Sequence, residues 1–181
     1  AYEATLGYYA AIGWFRAPTM GPRSFSVHRE VAYLPLMLTA MIAVVVETVG
    51  VHFLLRMWSP VAAWIVTGIR LYTLIWLMGD IHSVRLRPVE VSDETLHLRL
   101  GLRWTAAIPL TSIEAVQDAG CDAQSGKQGY LKAILFGTPS RRIQLAEPVN
   151  AVGLYGRTRQ VSTIDLHVDD STRFDAVLGR R

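Results

Sequence analysis

The chain is short of cysteine, lysine and charge, and each shortage closes off a class of protein. Cys121 is the single cysteine among 181 residues, so no intramolecular disulfide forms and an oxidising compartment is not implied. No pair of cysteines or histidines has the spacing of metal ligands. No serine sits between the glycines of a nucleophile elbow. Gly120 to Lys127 imitates a phosphate-binding loop only faintly. Five residues separate Gly120 from Gly126, and Gln128 stands where Ser or Thr belongs. We expect no catalysis, no metal and no cofactor, with Cys121 a plain thiol in a strand connection.

Charged residues make up 18% of the chain, low for a water-soluble protein. The formal net charge is +3, and Lys127 and Lys132 are the only lysines. Residues 81–181 hold 13 Lys or Arg against 11 Asp or Glu, close to balance, so nucleic acid is not an expected partner.

What the chain does have is two long apolar runs, Val31 to Leu55 and Pro60 to Gly79. Residues 31–80 carry only Glu47, Arg56, Arg70 and Asp80. About 20 apolar residues in a helix cross ~30 Å of hydrocarbon. The short break at Arg56-Met57-Trp58-Ser59-Pro60 makes the pair a helical hairpin. Thirty mostly polar and aromatic residues precede the first run, so we expect no cleaved signal peptide. Arg16, Arg23 and Arg29 precede the first run, and Arg85, Arg87 and Arg99 follow the second. The connection offers Arg56 alone. The positive-inside rule puts both termini in the cytoplasm, with Trp58 outside.

Glu47 and Arg70 are equidistant from a turn at Trp58-Ser59. Each lies roughly 17 Å from it at ~1.5 Å per residue. An unpaired charge at that depth costs roughly 2.5–3.5 kcal/mol on insertion scales. A contact between the two across the hairpin offsets that cost. One stripe of small residues accompanies each charge: Ala40, Ala43 and Gly50 with Glu47, and Ala63, Thr67 and Thr73 with Arg70. The pair then reads as a device fixing helix register, as a contact with a partner subunit, or as part of an ion path. Two helices cannot enclose a pore, which disfavours the last. His52 has no second histidine in either run, so a hydrogen bond with a neighbour is favoured over ligation of a pigment or haem.

Residues 1–30 crowd Tyr2, Tyr8, Tyr9, Trp14, Phe15 and Phe25 among glycines and prolines. Ala4 to Phe15 reads as a short amphipathic helix and Thr19 to Phe25 as a turn. Such a segment cannot make a core alone. We expect an arm that lies at the membrane interface or clamps a partner, with Tyr8, Tyr9, Trp14 and Phe15 in contact.

After Asp80 the pattern becomes alternating. Val89 and Val91, then Leu96, Leu98 and Leu100, mark strands, and Gly101-Leu102 suits a two-residue turn back into Trp104 to Ile108. Ile113 to Val116, Tyr130 to Phe136, Arg142 to Ala146, Val152 to Tyr155 and Thr163 to Val168 are further candidates. Asp169-Asp170-Ser171 supplies N-cap chemistry for a last helix with Phe174, Val177 and Leu178 on one face and Gly179 at its stop. The fold class is α+β: a two-helix transmembrane hairpin (31–80), then a cytoplasmic antiparallel sandwich or barrel (81–181) closed by a C-terminal helix.

From Val31 onward the chain resembles the bacterial pleckstrin-homology-like domains attached to two-helix membrane hairpins, a largely uncharacterised family. The likeness rests on His52, Trp58-Ser59-Pro60 with Ala63-Trp64, Leu71-Tyr72 and Gly79-Asp80. It continues through Arg87-Pro88, Leu98 to Trp104, Ile108-Pro109 and Val168-Asp169-Asp170. It implies a pleckstrin-homology-like fold and suggests inositol-lipid binding. The chain departs from that pattern, because the first strand connection reads Val91-Ser92-Asp93-Glu94-Thr95 and would repel phosphate. The basic residues lie elsewhere. Arg85 and Arg87 are juxtamembrane and placed to touch anionic lipid head groups, each worth ~1 kcal/mol there. Arg141, Arg142, Arg157 and Arg159 form a rim for solvent or a partner. We expect a non-catalytic accessory or scaffold subunit bound to a larger integral-membrane complex. Energy-converting assemblies, respiratory or photosynthetic, are the kind that recruit such subunits. The alternative is an anionic-lipid-binding or lipid-sensing membrane protein.

Overall fold

In a computed structural model of the protein, residues 2–13, 15–16, 21–27, 32–120 and 128–179 are described. Trp14, Arg29, Cys121, Lys127 and the Arg180-Arg181 tail lie outside the described residues. The described chain is α+β. Two long apolar helices, α2 (Tyr33–Arg56) and α3 (Pro60–Leu86), stand between a short helix α1 (Tyr2–Ile12) and a mixed sheet. A last helix, α4 (Ser171–Leu178), follows the sheet.

The hairpin turn is made by chemistry visible in the chain. Pro60 occupies the first turn of α3, where its missing N–H costs nothing. Ser59 caps that turn, its hydroxyl accepting from the Ala62 N–H at 3.4 Å. α3 does not stop at Gly79 as the apolar run suggests. It continues as helix to Leu86, because polarity does not break a helix, and ends just before Pro88, which disfavours helical geometry in Arg87. Gly79, Asp80, Ile81, His82, Ser83 and Val84 are all buried. α1 lies against this stretch, where a Cβ on Gly79 would come within 2.8 Å of the Leu6 carbonyl oxygen.

The sheet has strands β1 (Ser24–Phe25), β2 (Val89–Val91), β3 (Thr95–Leu100), β4 (Trp104–Pro109), β5 (Ile113–Asp118), β6 (Tyr130–Ala133), β7 (Arg141–Gly153) and β8 (Thr158–Leu166). Its order is β1-β2-β3-β4-β7-β8-β6, with β5 also on β7. The sheet is mixed, because β6 runs parallel to β8. β7 joins what the sequence separates into two short strands. Its register against β8 shifts between Gln144 and Val149. Pro148, which cannot donate to a ladder, sits in that irregular stretch. The first half of β7 pairs with β5 and the second with β4, so the sheet changes partners at the shift. One core cluster draws residues from every strand except β5 and includes Phe174 of α4, so the sheet curls around a single interior.

The β3–β4 connection has three residues rather than two, because Leu100 pairs with Trp104. Gly101 takes φ +56° there, and a Cβ would meet Ser83 Oγ and Val84 Cγ2 at 2.8 Å. The turn is therefore pressed onto the end of α3.

Residues 24–27 are not part of a separate arm. Phe25 and Val27 are buried in the core, and Phe25 packs edge-on against Phe174 with ring centroids 5.2 Å apart. Ser26 donates to Asp169 at 2.5 Å. Of the two adjacent acids, only Asp170 caps α4, accepting from the Arg173 N–H at 3.0 Å. Asp169 holds the N-terminal segment instead.

Candidate functional site

Three polar features interrupt an otherwise apolar hairpin and its junction with the sheet. The first is at mid-hairpin. Arg70 donates from Nη1 and Nη2 to the two Glu47 carboxylate oxygens, at 2.5 and 2.9 Å. This two-pronged geometry is the strong form of the pair. The pair is not enclosed between the helices. Glu47 keeps 56% of its side-chain surface open and Arg70 28%. The stripe of α2 turned toward α3 is Val44, Thr48, Val51 and Leu55, each partly covered. Ala43, Glu47 and Gly50 are exposed beside it. A Cβ on Gly50 would touch nothing within 4 Å, so its small size does not serve the hairpin contact.

The second feature lies nearer the turn. His52 Nδ1 is 2.8 Å from Thr67 Oγ1. That hydroxyl donates to the Ala63 carbonyl at 2.8 Å, so its lone pair accepts the Nδ1–H of the imidazole. The ring also meets Trp64 edge-on at 5.1 Å. His52 thus ties the two helices.

The third feature is the inner end. Asp80, buried on α3, accepts the Tyr33 hydroxyl at 2.6 Å and Arg103 Nη2 at 2.7 Å on the same oxygen. Tyr33 opens α2 and Arg103 sits in the β3–β4 turn. Three elements therefore converge on one carboxylate. Arg87 adds a third link, donating to the Gly101 carbonyl at 3.0 Å, and burial lowers its pKa. Arg87 is turned toward the sheet domain rather than outward to head groups. Arg85 remains partly open.

The arginine rim expected on the sheet domain divides. Arg142 is buried and grips Asp165 from Nε and Nη2 at 2.7 and 2.9 Å. Tyr130 donates to the same carboxylate at 2.8 Å. Burial opposes the charged carboxylate, yet the hydrogen bonds from Arg142 and Tyr130 hold Asp165 below the ordinary carboxylate range. Burial and the Asp165 contact push the Tyr130 hydroxyl up to about 12. Arg141 is clasped by Asp175 at 2.7 Å and by Asp118, and the Asp175 contact raises its pKa. Arg142 therefore belongs to the interior of the domain, while Arg141 is half-buried at its edge and engaged by two carboxylates, so neither is free for a partner. Alternation of Ile143 and Leu145 hides this, since the mate of Arg142 lies 23 residues away. Arg157 and Arg159 are exposed.

Tyr8 is partly exposed and stacks edge-on with Tyr9 at 5.5 Å, while Phe15 is 89% exposed. Asp93, in the acidic strand connection, pairs with Arg23. Among the described residues, no group of three or more His, Cys, Asp or Glu is placed to hold a metal ion. No family model, curated protein or solved structure matches the chain.

Proposed function

We propose that the chain is a non-catalytic, membrane-anchored accessory subunit whose hairpin docks on a helix of a larger integral-membrane protein. Both long helices meet the length and hydropathy of a span, and almost no residue of their most apolar 18-residue stretches is buried within the chain. Ile42, Val46, Phe53, Leu54, Val61 and Trp64 are all more than half exposed, a continuous apolar surface that water does not tolerate.

The observation that carries the partner is the open Glu47–Arg70 pair. A polar contact left facing hydrocarbon at mid-depth is costly, and such groups face a bundle interior or a neighbour. Ala43 and Gly50 flank it on the same exposed strip, and small residues let a second helix approach closely. In this reading the sheet domain stands on the cytoplasmic side as the interaction module, fixed to the hairpin through Asp80. Its pleckstrin-homology-like character rests on the sequence motifs alone.

The test is a photo-crosslinking residue at Gly50 in the full chain, irradiated in native membranes. An adduct with a second integral-membrane polypeptide, lost in Glu47→Leu/Arg70→Leu, supports the reading. An adduct at twice the chain mass, or the lone polypeptide together with lipid adducts, overturns it.

A further inference from the structure

A groove of about 640 Å³ opens between α2, α3 and the residues that follow α1, within the range of small-molecule sites, about 300–1,000 Å³. Its polarity is graded along the hairpin. Leu38, Met41 and Met78 line the end toward the middle of the helices. Arg85 lies two turns beyond Met78 on α3, about 10 Å further toward the sheet domain at 1.5 Å per residue. There it is joined by Arg16 and His82. Among the described residues, no carboxylate lines the groove. Phe15 borders the groove and is largely exposed.

An apolar trough ending in two cations, with no carboxylate beside them among the described residues, matches an amphiphile with a negative head. We propose that this groove holds one anionic phospholipid from the leaflet on the sheet-domain side. An acyl chain lies along Leu38, Met41 and Met78, and the head-group phosphate is held between Arg16 and Arg85. The inference rests on the hairpin spanning a bilayer, which places the Arg85 level at the head groups. It does not rest on the Gly50 partner face, since the groove lies at the inner end of the hairpin. The site is also separate from the acidic Asp93-Glu94 connection, which repels phosphate. A second protein helix fits the groove less well, because the cations occupy one end only and the remainder is apolar.

The experiment uses the full chain, delipidated in detergent and offered equimolar phosphatidylglycerol and phosphatidylcholine, with retention read by native mass spectrometry. One phosphatidylglycerol per chain is expected, favoured about tenfold or more, as two cations near an anionic head group provide. Arg16→Gln/Arg85→Gln brings the two lipids to parity. Met41→Trp fills the apolar end and removes retention of both, and circular dichroism verifies that each variant keeps its helices. Equal retention of both lipids by the unaltered chain overturns the proposal, as does a preference that survives loss of both arginines. The Gly50 crosslink, measured on the same variants, stays unchanged. A failure here is thereby told apart from a failure of the accessory-subunit reading.

Discussion

Arg103 reaches Asp80 at 2.7 Å on the carboxylate oxygen that also accepts the Tyr33 hydroxyl. One side chain comes from a strand turn, one from the inner end of α3 and one from the start of α2. The guanidinium also lies 5.9 Å from the Tyr33 ring centre. Two antiparallel helices on a flexible stalk would leave the sheet domain free to swing. This junction does the opposite, because α3 runs without a break from the mid-hairpin ion pair into the buried contact.

Removing Arg103 strands a buried carboxylate. Breaking one side of a buried pair costs about 3–5 kcal/mol, and the partly wet Arg103 places Arg103→Ala near the lower figure. The expected result is a lower melting temperature in detergent and faster amide exchange over residues 79–87. In Asp80→Asn/Arg103→Met the loss should be smaller than the two single losses combined. An unchanged melting temperature in Arg103→Ala removes the junction from the account.

Arg142→Leu leaves Asp165 buried with only Tyr130, and should cost about 3–5 kcal/mol. The same cluster sets the pH response. Asp165 is held below its ordinary value, so its contribution is present at neutral pH and disappears as pH falls through the folded value, below about 4. Tyr130 is raised from 10.0 to about 12, so its contribution is full below pH 10 and is lost as pH rises from there toward 12. Chemical denaturation across pH should show both limbs, and Tyr130→Phe should remove its share of the alkaline one and also weaken the acid one, because the Tyr130 hydrogen bond helps hold Asp165 down.

Phe25→Ala tests whether the N-terminal segment belongs to the sheet domain. Phe25 packs on Phe174 inside the core, and a buried Phe→Ala change costs about 3–5 kcal/mol. Tertiary near-ultraviolet signal should fall while the helical far-ultraviolet signal of the hairpin persists. Deleting residues 1–28 should have a larger effect of the same kind, beyond any loss of partner binding. A truncated chain with an intact sheet domain contradicts the observed packing.

Glu47→Leu isolates Arg70 at mid-hairpin, where a lone charge costs roughly 2.5–3.5 kcal/mol on insertion scales. The expected outcome is less carbonate-resistant protein in the membrane fraction. Glu47→Leu/Arg70→Leu should restore it fully, because the double change leaves no charge to bury. If the single variant inserts as well as the parent, the pair is not a membrane feature.

Features carried by local pattern are legible in the linear chain. The two apolar runs match α2 and α3 to within a few residues at three of their four ends. Ser59-Pro60 marks the turn, and Asp170 with Gly179 marks α4. Features that depend on distant pairing are not legible in this way. β1 is two residues long, too short to alternate, and its mate β2 lies 65 residues onward. The extension of α3 past Gly79 is hidden because Asp80, His82 and Arg85 end the apolar run without ending the helix. Helical spacing puts Glu47 opposite Arg70, but the rotation of α2 that leaves the pair open depends on how Val44, Thr48 and Val51 pack.

The amino-acid order by itself determined where hydrocarbon-length helices stand, which residues start and stop them, and that one acid and one base sit level across the hairpin. Those follow from composition, spacing and the fixed rise of a helix. Only the folded molecule decided which arginines are engaged by buried carboxylates. Arg142 and Arg103 look alike in sequence to exposed Arg157 and Arg159. A cation is held in or against the interior where a carboxylate is delivered to it, and Asp165 and Asp80 reach the buried Arg142 and the partly open Arg103 from far along the chain.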